Sequence, residues 1–398
     1  MTRIAFYFNH YTTLGHTTRV FSLVKGIKRK FGKKVDILVF HSGKEQRFFP
    51  FRLYSTLYTM PYSIDKRGLF IEDNVNLYRK IVSEGKLDSM LKKRLAFIQS
   101  ILKRLRPDIF FTEYFPFGQE FWTFEVPYIL RYLKDSSKCK IISSVGYLNC
   151  IENTYEYIKD FYDLLLIHTP PEFSDHYRFY LQNNRVAQLK KVFVDFSAKM
   201  HFTGFVIDPP ETQNWVKIRD RYIKKSFKRL ILVSRGGGIV NKKIIIASIM
   251  AAKNIPDYFF VICCGPATSA QEFRHYRELA KGLRNVELTE MVLPSEFSSY
   301  IKAADLSINM SGYNTIVKLF YFGKKTIMIP FNTLEQKWRA HIVKNFLPSR
   351  IIRDNDLNVP LLQKYTLDML TENKTPAKIS RDWFSGVYET NRILECLF

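Results

Sequence analysis

The stretch Leu306–Lys318, LSINMSGYNTIVK, decides how the chain is read. LSIN has the short, apolar-rich character of a buried strand, and Tyr313 onward has the character of a helix. Between them lie Met310 and the small residues Ser311 and Gly312, which let a ligand approach the backbone. Asn314 and Thr315 can cap the following helix while pointing at a phosphate. A strand that runs through small residues into a helix start directs unpaired N–H groups at whatever lies beyond the strand end, and that arrangement suits an anion.

The same β-then-α alternation extends outward from this point in both directions. Leu230–Ser234 (LILVS) leads into Gly236–Gly238, and Tyr258–Cys264 (YFFVICC) ends in Gly265 and Pro266. Val286–Leu288 and Thr326–Ile329 complete a second series. A first series starts with Arg3–Phe8, a polar loop Asn9–Thr18, and a helix carrying Val20, Phe21, Leu23, Val24 and Ile27. It continues through strands at Val35–Phe40, Asp108–Thr112, Lys140–Ser144 and Leu164–Ile167. Alternation of this kind predicts parallel sheets.

At 398 residues the chain is too long for one ordinary core. The paired prolines of Val206–Asn214 (VIDPPETQN) suit a connection between two bodies. The expected fold class is therefore α/β, with two doubly wound Rossmann-like domains. The first spans residues 1–205, a linker 206–225, and the second domain 226–375, while 376–398 forms a helix that packs back toward the first. Ligands of such sheets bind outside the carboxyl ends of the strands, so the two domains are expected to face a cleft that holds the site.

Composition narrows the function classes. Hydrophobic residues make up 46% and charged residues 25%, which argues against a disordered or membrane-embedded chain. No apolar run approaches the roughly 18–20 residues needed to cross a bilayer, and Ile244–Ala252 (IIIASIMAA) reads as a buried helix. The first residues form a strand and have no signal-peptide core. Cys139, Cys150, Cys263, Cys264 and Cys396 have neither metal-ligand nor disulfide spacing, which suits a reducing cytoplasm.

The net charge is +24, with basic clusters at Lys25–Lys34, Lys92–Arg94, Lys103–Arg106 and Lys217–Arg229. Such a surface suits anionic lipid, phosphorylated substrates or nucleic acid, or is simply solvated. No nucleic-acid-binding motif accompanies it, so nucleic acid is the minor option. Arg47–Tyr62 (RFFPFRLYSTLYTMPY) is aromatic and basic. It suits a membrane interface beside a lipid-linked acceptor, or an acceptor pocket, or a core.

Three further loops can carry chemistry. In Thr12–Arg19 (TTLGHTTR), Gly15 allows close approach and His16 can take a proton near neutral pH. Ser234–Gly238 (SRGGG) can form a backbone cradle for phosphate oxygens, although it lacks the Gly-Lys-Ser/Thr of a P-loop. Phe331–Ala340 (FNTLEQKWRA) places Glu335 and Gln336 just after a strand, where they can bond sugar hydroxyls. Arg339 stands four residues after Glu335, the spacing of an intrahelical ion pair.

Taken in order, these loops resemble the glycosyltransferases related to the peptidoglycan N-acetylglucosaminyltransferase (the MurG-like group), an inverting GT-B family using UDP-sugars. The resemblance covers nearly the whole chain. It is carried by LGHTTR, TEYFPFGQEF, FYDLLLIHTPPEF, HFTGFV, VSRGGG, CCGP, AADLSINMSGYNT and EQKWRA. It implies transfer of a sugar from a nucleotide-sugar to an acceptor hydroxyl, with His16 or Glu113 removing the proton. It further implies that Gly15, Gly237, Gly238, Ser311, Gly312, Asn314 and Thr315 hold the diphosphate and that Glu335 and Gln336 read the donor sugar. Arg235, Tyr313, Lys318 and Arg339 complete the donor-side set. No metal or other cofactor is implied, since helix dipoles and main-chain amides stabilise the leaving group, and Asp354–Asp356 reads as a surface turn.

Lys318 departs from the pattern. The related proteins carry a glutamate there that accepts from the ribose, whereas lysine can only donate. Nucleotide-sugar hydrolysis or epimerisation on the same scaffold is the alternative reading, because such hydrolases share the Gly-His-x-x-Arg loop. A binding protein without activity is a third. The expected location is cytoplasmic, with the inner membrane face as a peripheral site.

Overall fold

The computed structural model describes residues 1–9, 14–42, 48–61, 87–118, 123–136, 138–174, 183–208, 212–223, 227–237, 240–331 and 333–398. The chain forms two compact units. One comprises Met1–Ile207 together with Asp382–Phe398, and the other is Asp208–Arg381. The paired prolines of the expected linker, Pro209 and Pro210, lie outside the described residues.

The first unit is built on β1 (Thr2–Asn9), β2 (Val35–Ser42), β3 (Thr56–Thr59), β4 (Ile109–Glu113), β5 (Lys140–Val145), β6 (Leu164–Ile167) and β7 (Met200–Phe202). The sheet order is β3-β2-β1-β4-β5-β6-β7, and every pairing is parallel. Parallel strands are covered on both faces and so read as continuous apolar runs. β4 (IFFTE) is buried along its whole length. The core includes Ile4, Phe6, Phe8, Val24, Val39, Phe111 and Leu166.

Helix α1 (Leu14–Phe31) follows β1. It begins earlier than the loop expected over Asn9–Thr18, so Gly15, His16 and Arg19 are helical. His16 and Arg19 are three residues apart and share a face. Further helices are α2 (Leu87–Leu105), α3 (Val126–Ser136), α4 (Thr154–Phe161) and α5 (Asn183–Asp195).

The aromatic segment after β2 belongs to the core. Phe49 and Phe51 are buried, and the Phe51 ring lies 5.7 Å from Phe8 and 5.1 Å from Phe21. Leu53 stays exposed. Short edge strands such as β3 and β7 carry too few residues to show a pattern of their own, and the sequence reading passed over both.

The second unit contains α6 (Trp215–Ile223), β8 (Arg229–Ser234), α7 (Lys242–Asn254), β9 (Tyr258–Cys263), α8 (Ala270–Leu279), β10 (Val286–Thr289) and α9 (Pro294–Ala303). These are followed by β11 (Leu306–Asn309), α10 (Tyr313–Phe322), β12 (Lys325–Met328), α11 (Leu334–Phe346), β13 (Ser349–Ile351) and α12 (Val359–Thr371). Its parallel sheet has the order β10-β9-β8-β11-β12-β13, the doubly wound order of a dinucleotide-binding fold. Ile244, Ile245 and Ile249 of α7 are buried among Ile231, Phe260 and Ile308, as the apolar run Ile244–Ala252 predicts. Asp354–Asp356 forms one 3-10 turn.

The last helix, α13 (Gly386–Glu395), returns to the first unit and packs on α1. Asn391 donates to the Gly26 carbonyl at 3.5 Å, and a Cβ on Gly26 would strike Val387. Among the described residues no helix is long and apolar enough to cross a membrane.

Candidate active site

In a doubly wound sheet the ligand crevice opens where the strand order reverses. In the first unit that point lies between β1 and β4, and Glu113 is the last residue of β4. The start of α1 brings His16 to it, with Nδ1 3.0 Å from Glu113 Oε1. Arg19, one turn later, donates from Nε to the same oxygen at 2.9 Å and also from Nη2. Ser144 of β5, the register partner of Glu113, donates to Oε2 at 2.9 Å.

Burial alone would push the Glu113 carboxyl up, but the Arg19 charge and the His16 and Arg19 hydrogen bonds hold it at about 2. Glu113 is thus a fixed anion with both oxygens occupied. A carboxylate so satisfied is a poor proton acceptor.

Nδ1 of His16 also lies 3.4 Å from Arg19 Nη2. The 3.0 Å contact with a carboxylate outweighs it and places the proton on Nδ1. The Nε2 lone pair is then the basic site of the ring. The Tyr114 ring meets His16 edge-on at 5.1 Å, and a Cβ at Gly15 would meet nothing within 4 Å, so there is open space beside the helix start.

In the second unit the reversal lies between β8 and β11, and both strands run into expected loops. Ser311 has φ +59, a conformation that costs a non-glycine residue about 1–3 kcal/mol. Its backbone is held from both sides. The N–H donates to Asn309 Oδ1 at 2.9 Å, and the carbonyl accepts from Arg339 Nε at 2.8 Å.

The Ser311 hydroxyl is fully buried and has no hydrogen-bond partner among the described residues. Gly312 caps α10 without a side-chain bond, and none of the described residues fills the space where its Cβ would be. Tyr313 and Thr315 are buried in the first turn of α10, with Asn314 between them half-buried.

Arg339 also donates to Glu335, the i,i+4 pair that the spacing allowed. Gln336 accepts from the Phe331 N–H at 2.8 Å, closing the loop after β12. Ser311, Glu335, Gln336 and Arg339 are thereby gathered into one cluster. Lys318, one turn further along α10, is half-buried with its Nζ 5.2 Å from the Phe297 ring. Burial pushes its amine down to about 8, against a pull upward from Asp208.

Arg235 is placed differently. Its guanidinium is buried and donates to the Cys264 carbonyl at 2.6 Å, Thr268 Oγ1 at 2.8 Å and the Tyr276 hydroxyl at 3.2 Å. It braces the loop after β9 against the loop after β8. In the latter, Gly236 takes φ +67 and the Gly237 carbonyl accepts from Ala267 N at 3.0 Å. Gly238 lies outside the described residues.

Sequence reasoning did not single out Asn241, which precedes α7 with φ +57. Its carboxamide is buried, and neither the oxygen nor the nitrogen has a partner among the described residues. Buried amides are rarely left so, and this one stands at the helix start that follows the glycine loop. Among the described residues no group of three or more His, Cys, Asp or Glu side chains is placed to hold a metal ion.

Residues 231–387 match the glycosyltransferase family 28 C-terminal domain. The second unit is similar to that domain over most of its length. The whole chain has the GT-B fold of such glycosyltransferases. The crystal structure of the glycotransferase of kitacinnamycin is 13% identical, with a TM-score of 0.67 over 100% of this chain and 99% of that one. MurG from Acinetobacter baumannii is 12% identical, with a TM-score of 0.56 over 99% and 95%. UDP-GlcNAc 2-epimerase from Neisseria meningitidis, bound to UDP-GlcNAc, is 12% identical, with a TM-score of 0.56 over 100% and 99%. No curated protein sequence matches the chain. The matched residues include all the expected donor-side residues except Gly15.

Proposed function

We propose that the protein is an inverting glycosyltransferase that moves a hexose-type sugar from a nucleotide-sugar, UDP-linked, to an acceptor hydroxyl. The observation that carries this is the His16–Glu113 pair at the strand reversal of the first unit, on a chain whose second unit is similar to a family 28 domain.

His16 Nε2 takes the proton of the acceptor hydroxyl as its oxygen attacks the anomeric carbon. The bond from that carbon to the diphosphate oxygen breaks, its electron pair leaves with the diphosphate, and the configuration inverts. Glu113 remains an anion throughout and stabilises the imidazolium that forms. The leaving diphosphate is held at the start of α10, where Ser311 Oγ and main-chain N–H groups meet the positive end of the helix dipole. Asn241 adds a donor and an acceptor at the start of α7. Glu335 and Gln336 bond the donor sugar. No metal is required in this reading, so turnover persists in a chelator.

The test is transfer from UDP-sugars by wild type and His16→Ala. Wild-type turnover by His16→Ala removes His16 from the chemistry. A second reading, hydrolysis or epimerisation of a nucleotide-sugar, has support in the fold neighbour that is a UDP-GlcNAc 2-epimerase. Full-rate release of free sugar with no acceptor present favours hydrolysis, and a changed sugar still joined to its nucleotide favours epimerisation.

A lipid-linked acceptor on an anionic membrane surface at the inner face of the cytoplasmic membrane fits the net charge of +24. Sedimentation with vesicles containing anionic lipid, weakening as salt rises, checks it.

A further inference from the structure

The hydrogen bonding around Glu113 does not stop at Ser144. Ser144 Oγ is also 3.0 Å from His168 Nε2, and His168 Nδ1 is 2.7 Å from Thr203 Oγ1. Ser144, His168 and Thr203 are all buried, at or just beyond the carboxyl ends of β5, β6 and β7.

The direction of these bonds follows from counting protons. Ser144 has one hydroxyl proton, and the carboxylate Oε2 at 2.9 Å can only accept it. Ser144 Oγ must then accept from His168, so the proton of a neutral His168 sits on Nε2. Nδ1 is left bare and accepts from the Thr203 hydroxyl. The opposite tautomer sets the lone pairs of Ser144 and Glu113 against each other between buried side chains. Burial and the nearby Arg19 charge push His168 down to about 3, which keeps it neutral.

We propose that Ser144 and His168 are positioning residues, and that a one-way hydrogen-bond line Thr203 → His168 → Ser144 → Glu113 holds the carboxylate in the orientation that fixes the proton of His16 on Nδ1. This rests on the reading of His16 as the base. The line spends one Glu113 oxygen on Ser144 and reserves the other for His16 and Arg19. Removing the Ser144 hydroxyl frees the carboxylate to turn and concentrates its charge on the His16 side. The charged groups in contact with His16 among the described residues are Glu113 and Arg19, and the Tyr114 ring is its titratable aromatic neighbour. A less shared Glu113 charge holds the His16 proton more tightly.

The experiment is Ser144→Ala beside Ser144→Thr, read in two independent ways. In turnover, Ser144→Ala lowers kcat about 10-fold with the donor KM within twofold, and Ser144→Thr restores most of it. In proton-detected spectra of 15N-histidine-labelled protein, the His16 Nδ1–H resonance moves downfield in Ser144→Ala, as its hydrogen bond to the less shared carboxylate strengthens, and returns in Ser144→Thr.

An unmoved His16 Nδ1–H resonance in folded Ser144→Ala overturns the positioning role, whatever the activity. A moved resonance combined with full activity of His16→Ala upholds the line but overturns the catalytic reading. If Ser144→Ala does not fold, the same comparison is made with His168→Gln, which keeps a donor toward Ser144, and His168→Leu, which does not. Equal His16 Nδ1–H resonances in that pair overturn the proposal.

Discussion

Nδ1 of His16 lies 3.0 Å from Oε1 of Glu113, although 97 positions separate them in the chain. The contact resolves two candidates for one task into two tasks. In the proposed transfer, a carboxyl held at about 2 and saturated by donors orients the imidazole, and the imidazole accepts the proton. His16→Ala is expected to lower single-turnover transfer by about 100-fold or more. Glu113→Gln is expected to lower it by about 10- to 1000-fold, because an amide can present its N–H to Nδ1 and reverse the ring tautomer. Nucleotide binding by both variants, measured by calorimetry, stays near wild type. Full transfer by Glu113→Gln would sink the assignment.

Arg19 is the countercharge of a buried anion, the two side chains being 2% and 1% exposed. Arg19→Leu leaves the Glu113 charge uncompensated, and breaking such a pair costs about 3–5 kcal/mol. Urea unfolding at neutral pH should show that loss. The deficit should shrink in acid, because Glu113 then protonates and there is no buried charge left to compensate. A deficit independent of pH would argue that Arg19 acts through packing alone.

His168 makes a pH prediction of definite sign. Its imidazole is pushed down from 6.5 to about 3 in the fold, so between these values the unfolded chain binds a proton that the native chain does not. Stability therefore falls as pH drops through that window, at about 1.4 kcal/mol per unit for one proton. His168→Gln removes this part of the slope, which unfolding free energies measured at pH 7, 6 and 5 resolve. An unchanged slope in His168→Gln would mean that other groups set it.

The two sheets were legible because buried parallel strands announce themselves as apolar runs separated by helical periodicity. β11 falls on the residues predicted for it, Leu306–Asn309. Three-residue edge strands such as β7 and β13 have no such signature. Of the site, the individual loops were legible and their connections were not. Ser144 lay at the end of a predicted strand, and His168 and Thr203 lay in stretches quoted only for family resemblance. What joins them to Glu113 is strand register and the order of strands in the sheet. Asn241 gave no signal because an unpartnered amide is a property of its surroundings. Arg235 is a similar case. Its neighbours in sequence suggested a ligand, and in space its guanidinium also bonds Cys264, Thr268 and Tyr276.

Arg339 holds the left-handed Ser311 through one carbonyl and steers Glu335 with another nitrogen. A lysine offers a single nitrogen and cannot make both bonds. Arg339→Lys should weaken nucleotide-sugar binding about 10-fold while the melting temperature changes by a few degrees at most. Calorimetric titration with UDP and UDP-sugars checks this. Unchanged affinity would detach Arg339 from the donor side.

Lys318 is charged in both the folded and unfolded chain at pH 7, yet burial disfavours that charge in the fold and brings its amine down from 10.5 to about 8. The penalty is present in full below about pH 8 and is relieved as pH rises toward 10.5. Lys318→Met should therefore raise the melting temperature at pH 7, and the gain should diminish between pH 8 and 10.5. A loss of stability at pH 7 would show that the ammonium is stabilised where it stands.

The return of α13 to α1 has a consequence for the order in which the protein can be made. The surface that receives Val387, Ile393 and Leu394 belongs to the N-terminal part of the first unit, whereas those side chains leave the ribosome only after Asp208–Arg381. At about 5–20 residues per second, the intervening Asp208–Arg381 takes roughly 10–35 s to synthesise. Throughout that interval the first unit waits with the seat of α13 uncovered, while the second unit, which is continuous in sequence, can finish on its own. The half that begins first is completed second, and a nascent chain stalled near Arg381 exposes an apolar face on which chaperones can act.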